Sequence, residues 1–422
     1  MTFDPATADS ELKEYLRCDA ELVKVAKEFK ILTLIEWPKK VQEQFLSDYK
    51  SGNKKNPEII YKKFQLSEAL KTLEHIIQRT NSEHPIAQFL NQTAVSYFYT
   101  HKLVENLGQP EMVDYSIKVY GRPGDIILGS KHTNLDAARF FIETANEFGE
   151  YHSLENLEIC LLAETVKEYL ETEIKKVITD DPINVYVDEN LVPKAAAGVS
   201  RVRLRSGTCF TKYDPKQLLE HEVFVHTLTA INGRAQPHLT TLSLGSPRTT
   251  ATQEGLAVFA ELITGSIDVD RLKRIALRVI AIDMALNGAD FVQIFEYFLQ
   301  NKLTQNESFT STQRIFRGGD PRGKVVFTKD SVYLDGLLHA HSFFRWAMKN
   351  VKLDLAKILF AGRMTFDDAE KLAPFAASGL IARPKYLPPW LSQVPTLGGY
   401  LAFSLFANKI RVGILDKQFN QN

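Results

Sequence analysis

The sequence has few cysteines, no net charge and no long apolar run. Cys18, Cys160 and Cys209 lie far apart and form no CxxC pair of the kind that thiolate zinc sites and redox motifs use. This usage favours a reducing compartment. No apolar stretch approaches the roughly 18 residues that a membrane-spanning helix needs, and the N-terminus lacks the basic start and apolar core of a signal peptide. We therefore expect a cytoplasmic protein that does not bind a membrane.

The charges are balanced, with 51 Lys and Arg residues against 51 Asp and Glu residues. A nucleic-acid-binding protein usually shows a strong basic excess, so we predict no nucleic-acid partner. The apolar fraction of 44% supports a packed globule. A chain of 422 residues exceeds what one hydrophobic core usually organises, which predicts a main body with an added helical layer or a second domain.

Apolar residues recur at helical spacing over most of the chain, and β-branched residues are concentrated in a short central segment. The predicted helices cover residues 10–35, 66–79, 85–107, 135–148, 154–177, 214–232, 252–265, 269–286, 309–316, 332–348, 353–360 and 366–375. Strands are predicted at 184–187, 201–204 and 325–327. The prolines between 384 and 395 predict an irregular C-terminal tail. The pattern therefore predicts a predominantly helical α+β fold with a small sheet.

The segment from His221 to His226 reads HEVFVH, an HExxxH pattern within the helix predicted to begin at Asp214. In the common HExxH motif the histidines are four residues apart, so both imidazoles lie on one helical face and reach one metal ion. On a regular α-helix, side chains that are five positions apart point about 140° away from one another around the axis. Shared coordination therefore requires the helix to widen locally into a π-type turn.

A catalytic zinc ion typically takes three protein ligands, often two histidines and a carboxylate. Glu254, near the start of the next predicted helix, is the predicted third ligand, and Gly255 and Ala257 would allow that helix to pack closely. Glu261, two turns further along on roughly the same face, is the alternative. Glu222 is the predicted general base, which accepts a proton from the attacking water and passes it to the leaving amine.

The residues Gln253 to Ala257 spell QEGLA, and the chain resembles the family named for this motif, described as modulators of flavohaemoglobin expression. The same family includes the microtubule-associated tyrosine carboxypeptidases, which remove the C-terminal tyrosine of α-tubulin. The resemblance extends from about Gly121 to Gly336. Phe224 differs, because a small residue such as glycine is expected there, and its bulk could narrow the site or change the substrate preference.

The resemblance implies one zinc ion per chain, a zincin-like core and a peptide or protein C-terminus as substrate. The implied zinc ligands are His221, His226 and Glu254, and the implied catalytic residue is Glu222. This chain resembles the bacterial-type branch, for which the resemblance fixes neither the substrate nor the oligomeric state.

A carboxypeptidase must also neutralise its substrate's terminal carboxylate, a task best suited to arginine and then to lysine. The candidates are Arg317, Lys329 and Arg248. Tyr333 is a candidate donor to the oxyanion. The strand at 201–204 could offer its edge to an extended peptide.

Two other functions remain open from the sequence. Two histidines and one carboxylate are also the facial triad of non-haem iron oxygenases, although Glu222 would then have no role. A non-catalytic regulatory protein could keep the metal site, although its intact Glu222 argues against this. The favoured interpretation is a zinc metallopeptidase with a helical N-terminal region (1–114), a zincin-like catalytic domain (115–380) and a C-terminal tail packed on the core (381–422).

Overall fold

The computed structural model describes residues 9–27, 29–155, 160–189, 191, 194–407 and 409. Over these residues the chain is predominantly helical and has one small sheet, which confirms the α+β class. None of the helices in these ranges is both long and apolar enough to cross a bilayer. The helices before the sheet are α1 (Ser10–Lys27), α2 (Ile31–Leu34), α3 (Lys39–Lys50), α4 (Ser67–Arg79), α5 (Pro85–Glu105), α6 (Glu111–Tyr120), α7 (Asn134–Glu155) and α8 (Ala163–Val177).

The sheet has three strands, β1 (Asn184–Asp188), β2 (Ala195–Ala197) and β3 (Arg201–Arg205). The strand β3 lies in the centre, parallel to β1 and antiparallel to β2. Strands β1 and β3 confirm two predicted strands. The prediction that residues 201–204 offer a free edge is wrong, because β3 hydrogen-bonds to a strand on each side.

The chain after the sheet is again helical. It contains α9 (Asp214–Leu218), a π-helical segment (Leu219–Thr227), α10 (Leu228–Arg234), α11 (Thr250–Ile263), α12 (Val269–Leu286), α13 (Phe291–Gln300), α14 (Gln305–Phe316), α15 (Val332–Lys349), α16 (Asp354–Ile358), α17 (Phe366–Ser378) and α18 (Val394–Ala407). Short 3₁₀ turns occur at Thr240–Ser243, Pro247–Thr249, Thr328–Ser331 and Pro389–Gln393.

Two predictions about local structure are wrong. The segment 325–327 is not a strand, and the tail predicted to be irregular contains α18. Pro395 is the second residue of α18, and a proline in the first helical turn costs nothing because its missing N–H would have no partner there. The periodicity also missed α3, α6 and α13, although a capping box formed by Asp290 and Gln293 marks the start of α13.

The cysteine prediction also needs correction. Cys160 and Cys209 form a disulfide, and Cys18 is a buried free cysteine. The two paired residues are 49 positions apart, and an antiparallel bridge between Leu161 and Phe210 brings them together. The spacing of the cysteines in the sequence did not indicate this long-range pairing. Cysteine usage therefore no longer supports a reducing compartment.

The largest buried core runs from Tyr15 in α1 to Leu397 in α18. It includes Val223 and Val225 of the π-helical segment and residues 256–260 of α11. A second cluster, rich in phenylalanine, joins α12, α13 and α14. The two helical elements that carry the HExxxH and QEGLA motifs are thus held in the main core, where packing fixes the positions of their side chains.

Helices α11 and α15 cross with their backbones in direct contact. A Cβ atom added at Gly255 would lie 2.2 Å from the carbonyl carbon of Gly336, and one added at Gly336 would lie 2.0 Å from the carbonyl oxygen of Ala251. Gly255 therefore allows close helix packing, as predicted, but its partner is α15 and not the expected HExxxH helix. The crossing brings the start of α15 beside Glu254.

The substitution Gly255→Ala is expected to lower the free energy of unfolding by about 2 kcal/mol, because the added methyl group forces the two helices apart. Urea denaturation followed by circular dichroism measures this change. Gly124→Ala is the control, since a Cβ atom there meets nothing within 4 Å. Equal unfolding midpoints for the two variants would contradict the close crossing.

Candidate metal centre

The HExxxH segment lies in a π-helical turn that spans Leu219–Thr227, between α9 and α10. This confirms the prediction of a widened turn. A π-helix bonds residue i to residue i+5, so a spacing of five places two side chains on nearly the same face. The rings of His221 and His226 accordingly lie side by side, with centroids 4.9 Å apart and planes at 85°.

Glu254, on α11, completes a group of three potential metal ligands. Its Oε2 atom lies 3.6 Å from Nε2 of His221 and 3.6 Å from Nε2 of His226. Ligands held about 2.1 Å from a tetrahedral zinc ion are about 3.4 Å apart, close to these separations. The ligand atoms of these three residues all lie within 4.8 Å of one another. Within the described ranges, they form the one group of three histidine, cysteine or acidic side chains that could hold a metal ion.

The electrostatics of the group favour a cation between the three side chains. Burial opposes a charge on His221, but hydrogen bonds to Glu254 and Glu261 outweigh it and raise the pKa of the imidazole to about 10. Burial also opposes ionisation of Glu254, but Lys329 and the two histidines lower the pKa of its carboxyl well below the usual value. Two nitrogens and one carboxylate oxygen around a site that favours positive charge fit a zinc ion.

Glu261, the alternative ligand, lies on the other side of the His221 ring. Its Oε1 is 2.6 Å from Nδ1 of His221, and its carboxylate also accepts hydrogen bonds from Gln217 and Arg271. The side chain is fully buried. Although burial alone would raise the pKa of Glu261, Arg271 and His221 lower it to about 2. An ionised Glu261 fixes Nδ1 of His221 as a donor and leaves Nε2 facing Glu254.

Glu222 lies between the two histidines in sequence and is half-buried. Within the part of the chain that the structure describes, its carboxylate makes no hydrogen bond and no ion pair, so it is available to a bound substrate. Phe224, expected to narrow the site, is only 3% exposed and belongs to the main core. The bulk of Phe224 therefore fills the core.

Lys329 and Tyr333 come from the short 3₁₀ turn and the first turn of α15. Nζ of Lys329 is 3.5 Å from Oε1 of Glu254, and the ammonium lies over the ring of Tyr333 at 5.4 Å. The Tyr333 hydroxyl is 3.5 Å from Nη2 of Arg314. Lys329 therefore lies beside the candidate metal group, and the ring of Tyr333 packs against Lys329.

The two predicted arginines have different surroundings. Arg248 is held by Asp368 through contacts of 2.7 and 2.9 Å and by Gln92 at 2.6 Å. The guanidinium of Arg317 lies over the ring of Phe327 at 5.3 Å, and its buried Nε has no hydrogen-bond partner among the described residues. The structure does not bring either side chain into contact with Glu254.

A buried ion cluster, which was not predicted from the sequence, supports the turn that carries Lys329. Arg314 donates to both oxygens of Asp330 at 2.5 and 2.7 Å, and Arg278 lies 3.8 Å from the same carboxylate. Although burial raises the pKa of Asp330, these arginines lower it well below the usual value. The cluster ties α12 and α14 to the turn that presents Lys329. Its members are 16 or more residues apart, so periodicity gave no sign of it.

A family model described as "Microtubule-associated tyrosine carboxypeptidase" matches residues 43–409. The match covers the π-helical segment, α11 and α15, and it begins nearer the N-terminus than the resemblance read from the motifs. No curated protein matches the chain.

Proposed function

Because this chain belongs to the microtubule-associated tyrosine carboxypeptidase family, we propose that it is a zinc-dependent carboxypeptidase that hydrolyses the last peptide bond of a peptide or protein. Membership of the family implies a carboxypeptidase that acts on proteins. The observation that supports zinc dependence is the group of His221, His226 and Glu254, whose ligand atoms lie within 4.8 Å of one another. The proposed core is zincin-like, with the π-helical segment as its active-site helix.

In this mechanism, His221, His226 and Glu254 would hold the zinc ion. When bound, zinc lowers the pKa of water and polarises the scissile carbonyl. Glu222 takes the proton from the attacking water and then gives it to the leaving amine, so one carboxylate serves both as general base and as general acid. The Tyr333 hydroxyl donates a hydrogen bond to the oxyanion of the tetrahedral intermediate. Lys329 keeps Glu254 ionised.

The test combines metal analysis with a cleavage assay. Protein purified without added metal is analysed for zinc, then incubated with a C-terminally degenerate peptide library that is read by mass spectrometry. We expect stoichiometric zinc and stepwise loss of C-terminal residues, which a chelator stops and added zinc restores. Zinc without cleavage would favour a regulatory metal-binding protein, and stoichiometric iron without zinc would contradict peptidase chemistry.

The proposal includes the predicted division of the chain. Residues 115–380 carry the chemistry, residues 1–114 are the helical N-terminal region, and residues 381–422 are the tail that packs on the core; residues 1–8, 408 and 410–422 of this division lie outside the described residues. Of the residues predicted to bind substrate, Lys329 lies nearest the proposed zinc ligands. Arg317, Arg248 and the cytoplasmic location remain predictions.

A further inference from the structure

Arg271 lies in the first turn of α12 and reaches back to Glu261, in the last turn of α11. Hydrogen bonds hold the connection between the two helices. The backbone N–H of Ser266 donates to the carbonyl oxygen of Glu261 at 2.8 Å. The side chain of Asp268 caps α12 by accepting from the backbone N–H of Arg271. The fold of this connection therefore places the Arg271 side chain beside the Glu261 carboxylate.

Both oxygens of the Glu261 carboxylate accept hydrogen bonds. Oε1 accepts from Nδ1 of His221 at 2.6 Å and from Nη2 of Arg271 at 3.1 Å. Oε2 accepts from Nε2 of Gln217 at 2.8 Å and from Nε of Arg271 at 3.3 Å. Of these three donors, Arg271 contacts both oxygens. A planar guanidinium that binds a carboxylate at two points fixes the plane of the carboxylate as well as its position.

Burial makes the Glu261 carboxylate depend on these donors. The side chain is fully buried, so water does not replace a lost hydrogen bond. Without Arg271, the carboxylate would be a buried charge with two fewer hydrogen bonds, and it would rotate toward the donors that remain. Such a rotation moves Oε1 relative to Nδ1 of His221. The orientation of the His221 ring therefore depends on Arg271 through Glu261.

We propose that Arg271 is a positioning residue for the metal centre. By fixing the Glu261 carboxylate, it holds Nδ1 of His221 as a hydrogen-bond donor and keeps Nε2 of that ring directed toward Glu254. This assignment rests on the proposed function, in which His221 and Glu254 are zinc ligands. Its consequence is a higher affinity for zinc.

The charge of Arg271 and its hydrogen bonds have opposite effects on zinc affinity. A cation close to the site repels Zn²⁺, so removal of the charge alone would strengthen zinc binding. Loss of the orientation of His221 would weaken zinc binding. An ion pair that only stabilises the connection between α11 and α12 would do neither. The sign of the change in affinity therefore distinguishes the three roles.

The experiment measures zinc affinity by competition with a chromophoric chelator at neutral pH, with no peptide present. Arg271→Met should weaken zinc binding by about 10-fold, the lower end of the loss expected when a group that orients a ligand is removed. Arg271→Lys keeps the charge but not the two-point contact, so it should show a smaller loss. Arg274→Met is the control, because Arg274 is a half-buried arginine on the same helix with no ion-pair partner among the described residues. Its zinc affinity should stay within about 2-fold of the wild-type value.

A double-mutant cycle tests whether Arg271 acts through Glu261. In the Glu261→Gln background the carboxylate is gone, so Arg271→Met should weaken zinc binding further by less than about 2-fold. Urea denaturation of each metal-free variant measures its unfolding midpoint, and only variants that unfold cooperatively are compared. If Arg271→Met does not fold, Arg271→Lys completes the same cycle. Additive losses in the double variant, or tighter zinc binding by Arg271→Met, would overturn the assignment.

The outcomes also separate this inference from the proposed function. Zinc binding and peptide hydrolysis by the wild type, with zinc affinity unchanged in Arg271→Met, would support a peptidase and contradict the role of Arg271. Zinc binding that depends on Arg271 and Glu261, without hydrolysis of any peptide, would support the role of Arg271 and contradict the proposed carboxypeptidase.

Discussion

Replacement of Glu222 by glutamine is expected to lower kcat for C-terminal hydrolysis by about 1000-fold while zinc content stays the same. The amide has nearly the shape of the carboxylate but cannot accept the proton of the attacking water. Glu222 is not one of the three proposed ligands, so the metal should be retained. Single-turnover hydrolysis of a peptide acid, followed by mass spectrometry, measures the chemical step, and elemental analysis measures the zinc.

Glu220 offers a matched control on the same π-helical segment. It is 7% exposed, and burial raises the pKa of its carboxyl to about 7. Its electrostatic neighbours are Lys216 and Tyr169 of α8. Glu220→Gln should therefore leave kcat within about 3-fold of the wild-type value, because Glu220 has no part in the proposed proton transfer. Loss of a general acid or base usually lowers kcat by about 100-fold or more. A large loss for Glu220→Gln together with full activity for Glu222→Gln would reverse the proposed roles.

The sequence predicted the least regular feature of the site because that feature is local. A separation of five positions cannot put the imidazoles of His221 and His226 on one face of an α-helix, so shared metal binding required a π-type turn. The third residue, Glu254, was predicted from its motif and from the usual ligand set. A helical wheel could not separate it from Glu261, because both lie on similar faces of α11.

Features that depend on distant contacts could not be predicted. The central position of β3, the pairing of Cys160 with Cys209 and the ion cluster around Asp330 all join segments far apart in sequence. Periodicity predicts elements and their buried faces, but not which charges remain unpaired after packing.

Removal of the Glu254 carboxylate is expected to weaken zinc binding by roughly 1000-fold, and removal of the Glu261 carboxylate by about 10- to 100-fold. The free energy of zinc binding at structural sites with four ligands is about 10–16 kcal/mol, which corresponds to about 4 kcal/mol for each ligand at the upper end. A residue that orients a ligand usually contributes 10- to 100-fold in affinity. Glu254→Ala and Glu261→Gln test these two roles by competition with a chromophoric chelator at neutral pH.

The order of the two effects decides which carboxylate binds the metal. Glu261→Gln keeps the size of the buried side chain but weakens the pair with Arg271 and the hydrogen bond that holds Nδ1 of His221. Its unfolding midpoint should be measured beside its zinc affinity, so that a loss of fold is not mistaken for a loss of orientation. A larger loss of affinity for Glu261→Gln at unchanged stability would make Glu261 the ligand. The expected order, together with a normal fold for Glu254→Ala, would assign Glu254 to the metal and Glu261 to the position of the His221 ring.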